Sequence, residues 1–534
     1  MKAIGIDFGT TNSTISFIKE TRGVQLLEGF EPYNGRSEYM PSVVAYKEHD
    51  DILVGFRAAE ELTSGNFELY ENFKLHLAKN SIPNRTKKAT QVMSDYIQGI
   101  LNLYKQRQGI KEFDGVVMTI PYAWLYKEEN HSILERIEKE IKKASESTVH
   151  LTCEPEAAAA YFCYEYEHNR EINPKGQEYK GHIFVIDYGG GTLDVTLCKA
   201  RGNQIIEIVD GYGTGEFGKS SGYAGVAFDE AVVLGLMTRY DFQSIQQGGI
   251  EFIKLRKEFE NKKITNNEII TEAMKRYFNT DKKINRHLFS LGKDDKGKEV
   301  QIFCKDLDEA FIKTCSDELM KALATVKEKA GDICNDRENF RIQLVGGFSN
   351  FVSVEIAVRE AFGIGAKDAD TRLDAIPYPP TDRALAISKG AALIANGWGV
   401  VDTCRHSYGY VSYVRGASDE WVEKHIKVIE KGTSLSDVKE PKFADEWVRI
   451  KGSYGNVRVY GDSGKSNNEG LLCVILDEST GQLFPNLDGR AKLFQIGFSV
   501  NRYQVPSIHT RDSNGAEIMT SMRKLKDSLE AMEK

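Results

Sequence analysis

The chain has 534 residues, 41% of them hydrophobic and 28% charged, with a net charge of -8. That length exceeds one compact core and predicts about two to four domains, and the mild acidity gives no electrostatic case for binding nucleic acid. Eight cysteines without a CxxC pair and ten histidines without ligand spacing exclude a disulfide or zinc framework, so a reduced, cytoplasmic chain is expected and any metal should be a hard ion held by oxygen.

The N-terminus, MKAIGIDFG, turns polar at Asp7. No apolar run approaches ~20 residues, so neither a signal peptide nor a membrane span is expected. Residues 3–18 (AIGIDFGTTNSTISFI) read as strand, tight turn, strand, and residues 183–198 (IFVIDYGGGTLDVTLC) read the same way. Aligned on Asp7 and Asp187, the segments form an internal repeat in which Gly9 matches Gly189, Thr10-Thr11 match Gly190-Gly191, and Thr14 matches Asp194. One long-period repeat predicts a duplicated lobe rather than a solenoid. Strand and helix then alternate. VVMTIP (116–121) is a buried strand, 125–144 a helix with Leu134, Ile137, Ile141 and Ala144 on one face, and 150–164 a short strand and then a helix with Pro155 in its first turn. Further on, 252–277 and 307–334 are helical, 341–350 is a strand running into a Gly-Gly turn, and 384–396 is a helix. The charged stretches 168–181 and 279–299 read as surface loops. From about residue 405 the composition shifts to short alternating strands, a β domain of ~115 residues by the usual spacing, ending in a helix with Met522, Leu525, Leu529 and Met532 on one face. The pattern is a two-lobed α/β unit followed by a small β domain.

The chemistry concentrates in the hairpins. Small residues at 7–11 let backbone N–H groups converge on a phosphate, and the hydroxyls of Thr10, Thr11 and Ser13 can add donors. Asp7 would repel a phosphate unless a hydrated magnesium ion intervened. The second hairpin offers the same geometry, so two facing hairpins would clamp a polyphosphate. Alternation along 192–197 puts Thr192, Asp194 and Thr196 on one strand face. Asp194 is therefore an extra carboxylate, a general base for an attacking water or, as is commoner for a lone strand aspartate, a solvated or hydrogen-bonded residue.

Three other motifs carry less. GTGEFG at 213–218 fits G-x-G-x-x-G but lacks a following apolar helix. GDSGKS at 461–466 imitates a P-loop with Val459 where glycine is required, and reads as a hairpin turn. The sequon NST at 12–14 lies within the expected phosphate loop.

IGIDFGTTNS, VVMTIPYAW, CEPEAAAA, VIDYGGGTLDVTL and QLVGGFSN, in that order, resemble the nucleotide-binding domain of the heat-shock 70 (DnaK-type) chaperones, which are actin-like ATPases. The resemblance covers about residues 1–398 and is weaker over 399–534, which look like a reduced substrate-binding β domain. It implies an actin-like ATPase fold with lobe I at about 1–182, lobe II at about 183–380 and a returning helix at 384–396. It also implies Mg2+ held largely through water by Asp7 and Asp187, and ATP or ADP phosphates held by Gly9, Thr10, Thr11 and Asn12 from one lobe and Gly189, Gly190, Gly191 and Thr192 from the other. Lys74 looks like the family's catalytic lysine, Glu154 and Asp194 its water-positioning carboxylates, with Thr192 beside them. Glu260 and Lys263 match the ribose contacts, and without the family would be an ordinary helical i,i+3 pair. Gly225 resembles the glycine after the second hairpin, and Gly346 and Gly347 the pair that admits the nucleotide. The departures are Ile264 and Asn350 at the adenine-stacking arginine positions, GWGVVDTCRH in place of the leucine-rich linker, and one terminal helix of ~14 residues where a helical lid is usual.

The function this implies is a slow ATP hydrolase acting as a DnaK-like chaperone or nucleotide-dependent switch. It would bind a client or dedicated protein partner through 399–534, with co-chaperones, and neither nucleic acid nor membrane. An actin-like filament protein and a metabolite kinase of the same fold are the alternatives.

Overall fold

In the computed structural model each repeated hairpin founds a sheet. In the first, the strands lie in the order Val24–Gly29, Asn12–Thr21, Ala3–Asp7, Gly115–Ile120 and Val149–Cys153, with Tyr39–Pro41 pairing against the start of the second. Ala3–Asp7 is antiparallel to its hairpin partner and parallel to Gly115–Ile120. The second sheet repeats this plan: Ile205–Thr214, Leu193–Gly202, Gly181–Tyr188 and Phe340–Val345, with only the last pair parallel. Parallel neighbours need crossovers that cover both faces, so Phe340–Val345 is buried at every residue, Arg341 and Gln343 included. This is the duplicated α/β architecture expected of an actin-like fold.

The described residues exclude 1–2, 22–23, 33–37, 48–50, 62–66, 78, 84, 123, 125–130, 203–204, 215–222, 244, 248, 366–367, 374–379, 399–402, 405, 416–419, 451–457, 463–470, 476–491, 501–505, 523–524 and 526–534. The start of the helix expected at 125, most of GTGEFG, the GDSGKS turn, much of the 397–406 linker and nearly all of the terminal helix therefore lie outside the description.

Helix Glu154–His168 opens with a buried alanine run, and the late helix Pro380–Ala395 packs on it and on the first sheet. Both contacts are backbone-close. A Cβ at Gly390 would fall 1.7 Å from the Ala157 carbonyl oxygen, and one at Gly5 would fall 2.1 Å from the Ala392 nitrogen. Helix His131–Ser145 buries Leu134, Ile137, Ile141 and Ala144, the face read from its period.

Three expected elements differ. The helix read over 252–277 is two, Ile250–Thr265 and Asn267–Asn279, because the Asn266 amide donates to the Lys262 carbonyl at 2.7 Å and caps the first. The helix read over 307–334 begins at Cys304–Phe311, widens into a π turn at Ile312–Ser316, and resumes at Asp317–Ala330. The stretch 279–299 is not all loop: His287–Lys293 pairs with Glu299–Phe303. Asp294 accepts from the Lys296 and Lys298 N–H groups and closes that turn, whose charged residues 294–298 hid the short strands in the sequence.

Residues 401–534 form a separate compact unit. Its strands make two four-stranded antiparallel sheets. One runs Trp421–Ile429, Ser407–Arg415, Arg458–Asp462, Leu471–Ile475; the other runs Lys442–Ile450, Lys492–Val500, Pro506–Asp512, Glu517–Ser521. Tyr408, Tyr410, Val459, Phe494, Ile496, Phe498 and Ile508 share one core, so the sheets form a sandwich. Among the described residues of the whole chain no helix is long and apolar enough to cross a membrane.

Candidate functional site

The ladder register turns the sequence repeat into a spatial one. Asp7 lies directly opposite Thr14 in the first hairpin, and Asp187 directly opposite Asp194 in the second. The hairpin tips touch: a Cβ on Gly190 would fall 2.5 Å from Thr11 Oγ1, and one on Gly191 would fall 2.5 Å from Thr10 Oγ1. The glycines of one copy are thus the space into which the threonines of the other fit.

Each turn is braced differently. Ser42 Oγ donates to the Gly9 carbonyl at 2.8 Å and, its proton so used, accepts from Ser13 Oγ at 3.0 Å. Ser13 is therefore a buttress, not the phosphate donor its position suggested. In the second copy the Gly225 and Val226 N–H groups, at the start of helix Gly225–Arg239, donate to the Gly189 and Gly190 carbonyls at 3.2 and 2.8 Å. Gly225 thus holds the hairpin with its own N–H.

Lys74 sits on the short 3-10 turn Phe73–His76 and is 3% exposed. Its ammonium lies over the Phe8 and Trp124 rings, donates to the Phe8 carbonyl, and pairs with Glu154 Oε1 at 3.1 Å. Glu154 is buried in the first turn of its helix, which Glu156 anchors by accepting from the Cys153 N–H. Asp7, Asp187 and Asp194 complete the group, and Thr119 Oγ1 reaches Asp7 at 3.4 Å.

This is four carboxylates around one ammonium. Burial, then the Glu154 charge, pushes Asp7 up to about 7, with Lys74 opposing. Burial, then the charges of Glu154, Asp7 and Asp194, raises Asp187 well above the carboxylate range. Asp194 is raised well above it by burial and then Glu154. Both Asp194 oxygens are buried without a hydrogen-bond partner, and so is its counterpart, Thr14 Oγ1. Unpaired buried carboxylate oxygens are costly unless protonated or facing a cation or water. An all-oxygen donor set with surplus negative charge suits a magnesium ion. Among the described residues no three His, Cys, Asp or Glu side chains are arranged to ligate one metal directly.

Gly346 closes the far side with φ +84, and a Cβ there would meet Asp187 Oδ1 at 2.5 Å. Nothing lies within 4 Å of a Cβ placed on Gly347. The other matched residues sit apart from the carboxylates. Lys263 pairs with Asp229 at 2.5 Å, not with Glu260, and lies over the Phe228, Phe259 and Phe348 rings. Burial pushes Asp229 up to about 7 against the pull of Lys263. Ile264 is 59% exposed. Sequence reasoning missed Asp229, Ser42 and Thr119; the apolar run around Asp229 in GVAFDEAVV was a signal for a buried, paired carboxylate.

No protein-family model matches the chain. Among curated proteins it is 24% identical over 404 residues to the chaperone protein DnaK of Thermosipho melanesiensis, covering 73% of this chain and 58% of that one. It is 23% identical over 479 residues to the chaperone protein dnaK of Cyanidium caldarium, covering 81% and 68%, and 27% identical over 222 residues to a chaperone protein HscA homolog of Mannheimia succiniciproducens, covering 37% and 32%. The chain therefore spans somewhat over half the length of the DnaK relatives it matches. Motif order, the paired hairpins and these relatives point the same way: the chain is similar to the heat-shock 70 chaperones at 23–27% identity.

Proposed function

We propose that residues 1–398 bind and slowly hydrolyse ATP between the two hairpins, and that 399–534 carry a protein client or dedicated partner. The observation that supports this most is the unpartnered Asp194 carboxylate beside the Lys74–Glu154 pair, where the two hairpin tips meet. Backbone N–H groups and hydroxyls of Gly9, Thr10, Thr11 and Asn12, and of Gly189, Gly190, Gly191 and Thr192, hold the phosphates. Asp7 and Asp187 would hold magnesium, which would neutralise charge on the phosphates and on the carboxylates. Lys74 has three N–H donors, two of them used on Phe8 and Glu154, and directs the third at the phosphoryl group in transfer. Asp194 takes the proton of the attacking water, with Glu154 and Thr192 fixing that water's position. Gly346 and Gly347 admit the nucleoside, and Glu260 and Lys263 meet its ribose once Lys263 exchanges Asp229 for the sugar. The partner domain acts on a signal from this site, as a chaperone or a switch assisted by co-chaperones.

Phosphate release from ATP by the purified chain, with and without magnesium, tests the reading. Saturable, magnesium-dependent turnover is expected. Tight ATP binding without any release would contradict the hydrolase assignment.

A further inference from the structure

The second sheet of the 401–534 unit carries a hydrogen-bonded series that the nucleotide site does not use. Ser499 Oγ lies 2.7 Å from His509 Nε2, and His509 Nδ1 lies 2.9 Å from Glu517 Oε1. The three residues come from three consecutive strands of one sheet, Lys492–Val500, Pro506–Asp512 and Glu517–Ser521. Phe494, Ile496, Phe498, Val500 and Ile508 point into the sandwich core, so alternation puts Ser499 and His509 on the opposite face.

The proton positions follow from the partners. A carboxylate only accepts, so the neutral imidazole carries its proton on Nδ1 and donates it to Glu517. Nε2 is then an acceptor, and the Ser499 hydroxyl donates to it. A serine donating to an imidazole that a carboxylate orients is the arrangement that activates a serine nucleophile, and it is recognised by geometry rather than by chain order. Burial supports the orienting role: His509 is 5% exposed, while Ser499 keeps 9%. The same face carries apolar side chains beside the pair, with the Arg511 guanidinium 4.0 Å over the Phe443 ring. Phe443 lies across Gly497 and edge-on to His509 at 6.4 Å, and Met519, opposite His509 in the ladder, is 63% exposed.

We propose that Ser499 is a nucleophile, His509 its general base and Glu517 the positioning residue for that base, and that the site accepts the acyl group of an apolar ester. Ser499 Oγ forms a bond to the ester carbonyl carbon while its proton passes to His509 Nε2. The carbon–oxygen bond to the leaving alcohol then breaks, and that alcohol takes the proton from His509. Water, deprotonated by His509, cleaves the acyl-serine, releasing the carboxylic acid and restoring the hydroxyl.

The test is labelling of the full-length chain with a fluorophosphonate probe, sited by peptide mass spectrometry, alongside hydrolysis of 4-nitrophenyl butyrate. The expected result is a phosphonyl group on Ser499 and none there in Ser499→Ala, with ester hydrolysis lost in that variant. Glu517→Gln, altering a side chain 37% exposed, should keep the fold and slow labelling by about 100-fold, and Glu517→Asp should recover part of that rate. Ser499 labelling no faster than other serines, or at an unchanged rate in Glu517→Gln, would overturn the proposal and leave the series a cross-strand polar tie.

Discussion

The hairpins at 3–21 and 181–202 share topology and register but divide the chemistry unequally. The first copy is threonine-rich at its turn, is braced by Ser42, and has the only ammonium of the group, Lys74, against its Phe8 carbonyl. The second is glycine-rich, is braced by a helix start, and places two buried aspartates directly opposite each other, a pairing that like charge disfavours. Thr14, the first copy's equivalent of Asp194, has no charge to pay that cost. The two copies thus differ in what they bring: the first an ammonium, the second a surplus carboxylate. On the proposed reading neither copy is sufficient, and the contact between their tips is the site.

Removing the cation should break the division most severely. Lys74→Ala is expected to lower ATP turnover by about 100-fold or more and to cost about 3 kcal/mol of stability by stranding Glu154, as measured by phosphate release and denaturant unfolding. Unchanged turnover would remove Lys74 from the mechanism. A smaller effect is expected from the brace peculiar to the first copy. Ser42→Ala frees the Gly9 carbonyl and the Ser13 hydroxyl and should cost about 1 kcal/mol, with a severalfold weaker nucleotide affinity in calorimetry. No loss of affinity would mean the turn holds its shape unaided.

The last effect concerns the second lobe's buried ion pair. Asp229 is raised from 3.8 to about 7 by burial, so the native state holds its proton more tightly than the unfolded state. That contribution to stability is complete below about pH 3.8 and is lost as pH rises through about 7. The thermal midpoint should therefore fall across this window, and Asp229→Asn should flatten the fall. An identical slope in the variant would assign it to other groups.

Much of this was legible in the sequence because the hairpins are short-range objects. Alternation fixed the strands, and aligning Asp7 with Asp187 named Thr14 and Asp194 as counterparts, which the ladder shows to be cross-strand partners of those aspartates. Lys74 was legible only through family resemblance, because its burial depends on Phe8, Trp124 and Glu154, residues distant in the chain. The Lys263–Asp229 pair was misread for the same reason: helical spacing brings Glu260 near Lys263, but an aromatic pocket formed by Phe228, Phe259 and Phe348 turns the ammonium elsewhere. The hairpin at 287–303 escaped because its two short strands are split by the charged turn Asp294-Asp295-Lys296-Gly297-Lys298.

The central claim is that Asp194 makes the second copy a hydrolytic site and not a second cradle. Asp194→Thr gives that position the side chain type of Thr14 and removes a buried like charge opposite Asp187. Single-turnover phosphate release, measured with nucleotide affinity on the same preparation, decides it. The account predicts a loss of about 100-fold or more in the hydrolysis rate with magnesium–ATP still bound and an unfolding temperature at least that of the parent chain. Hydrolysis at the parental rate in that variant would contradict it.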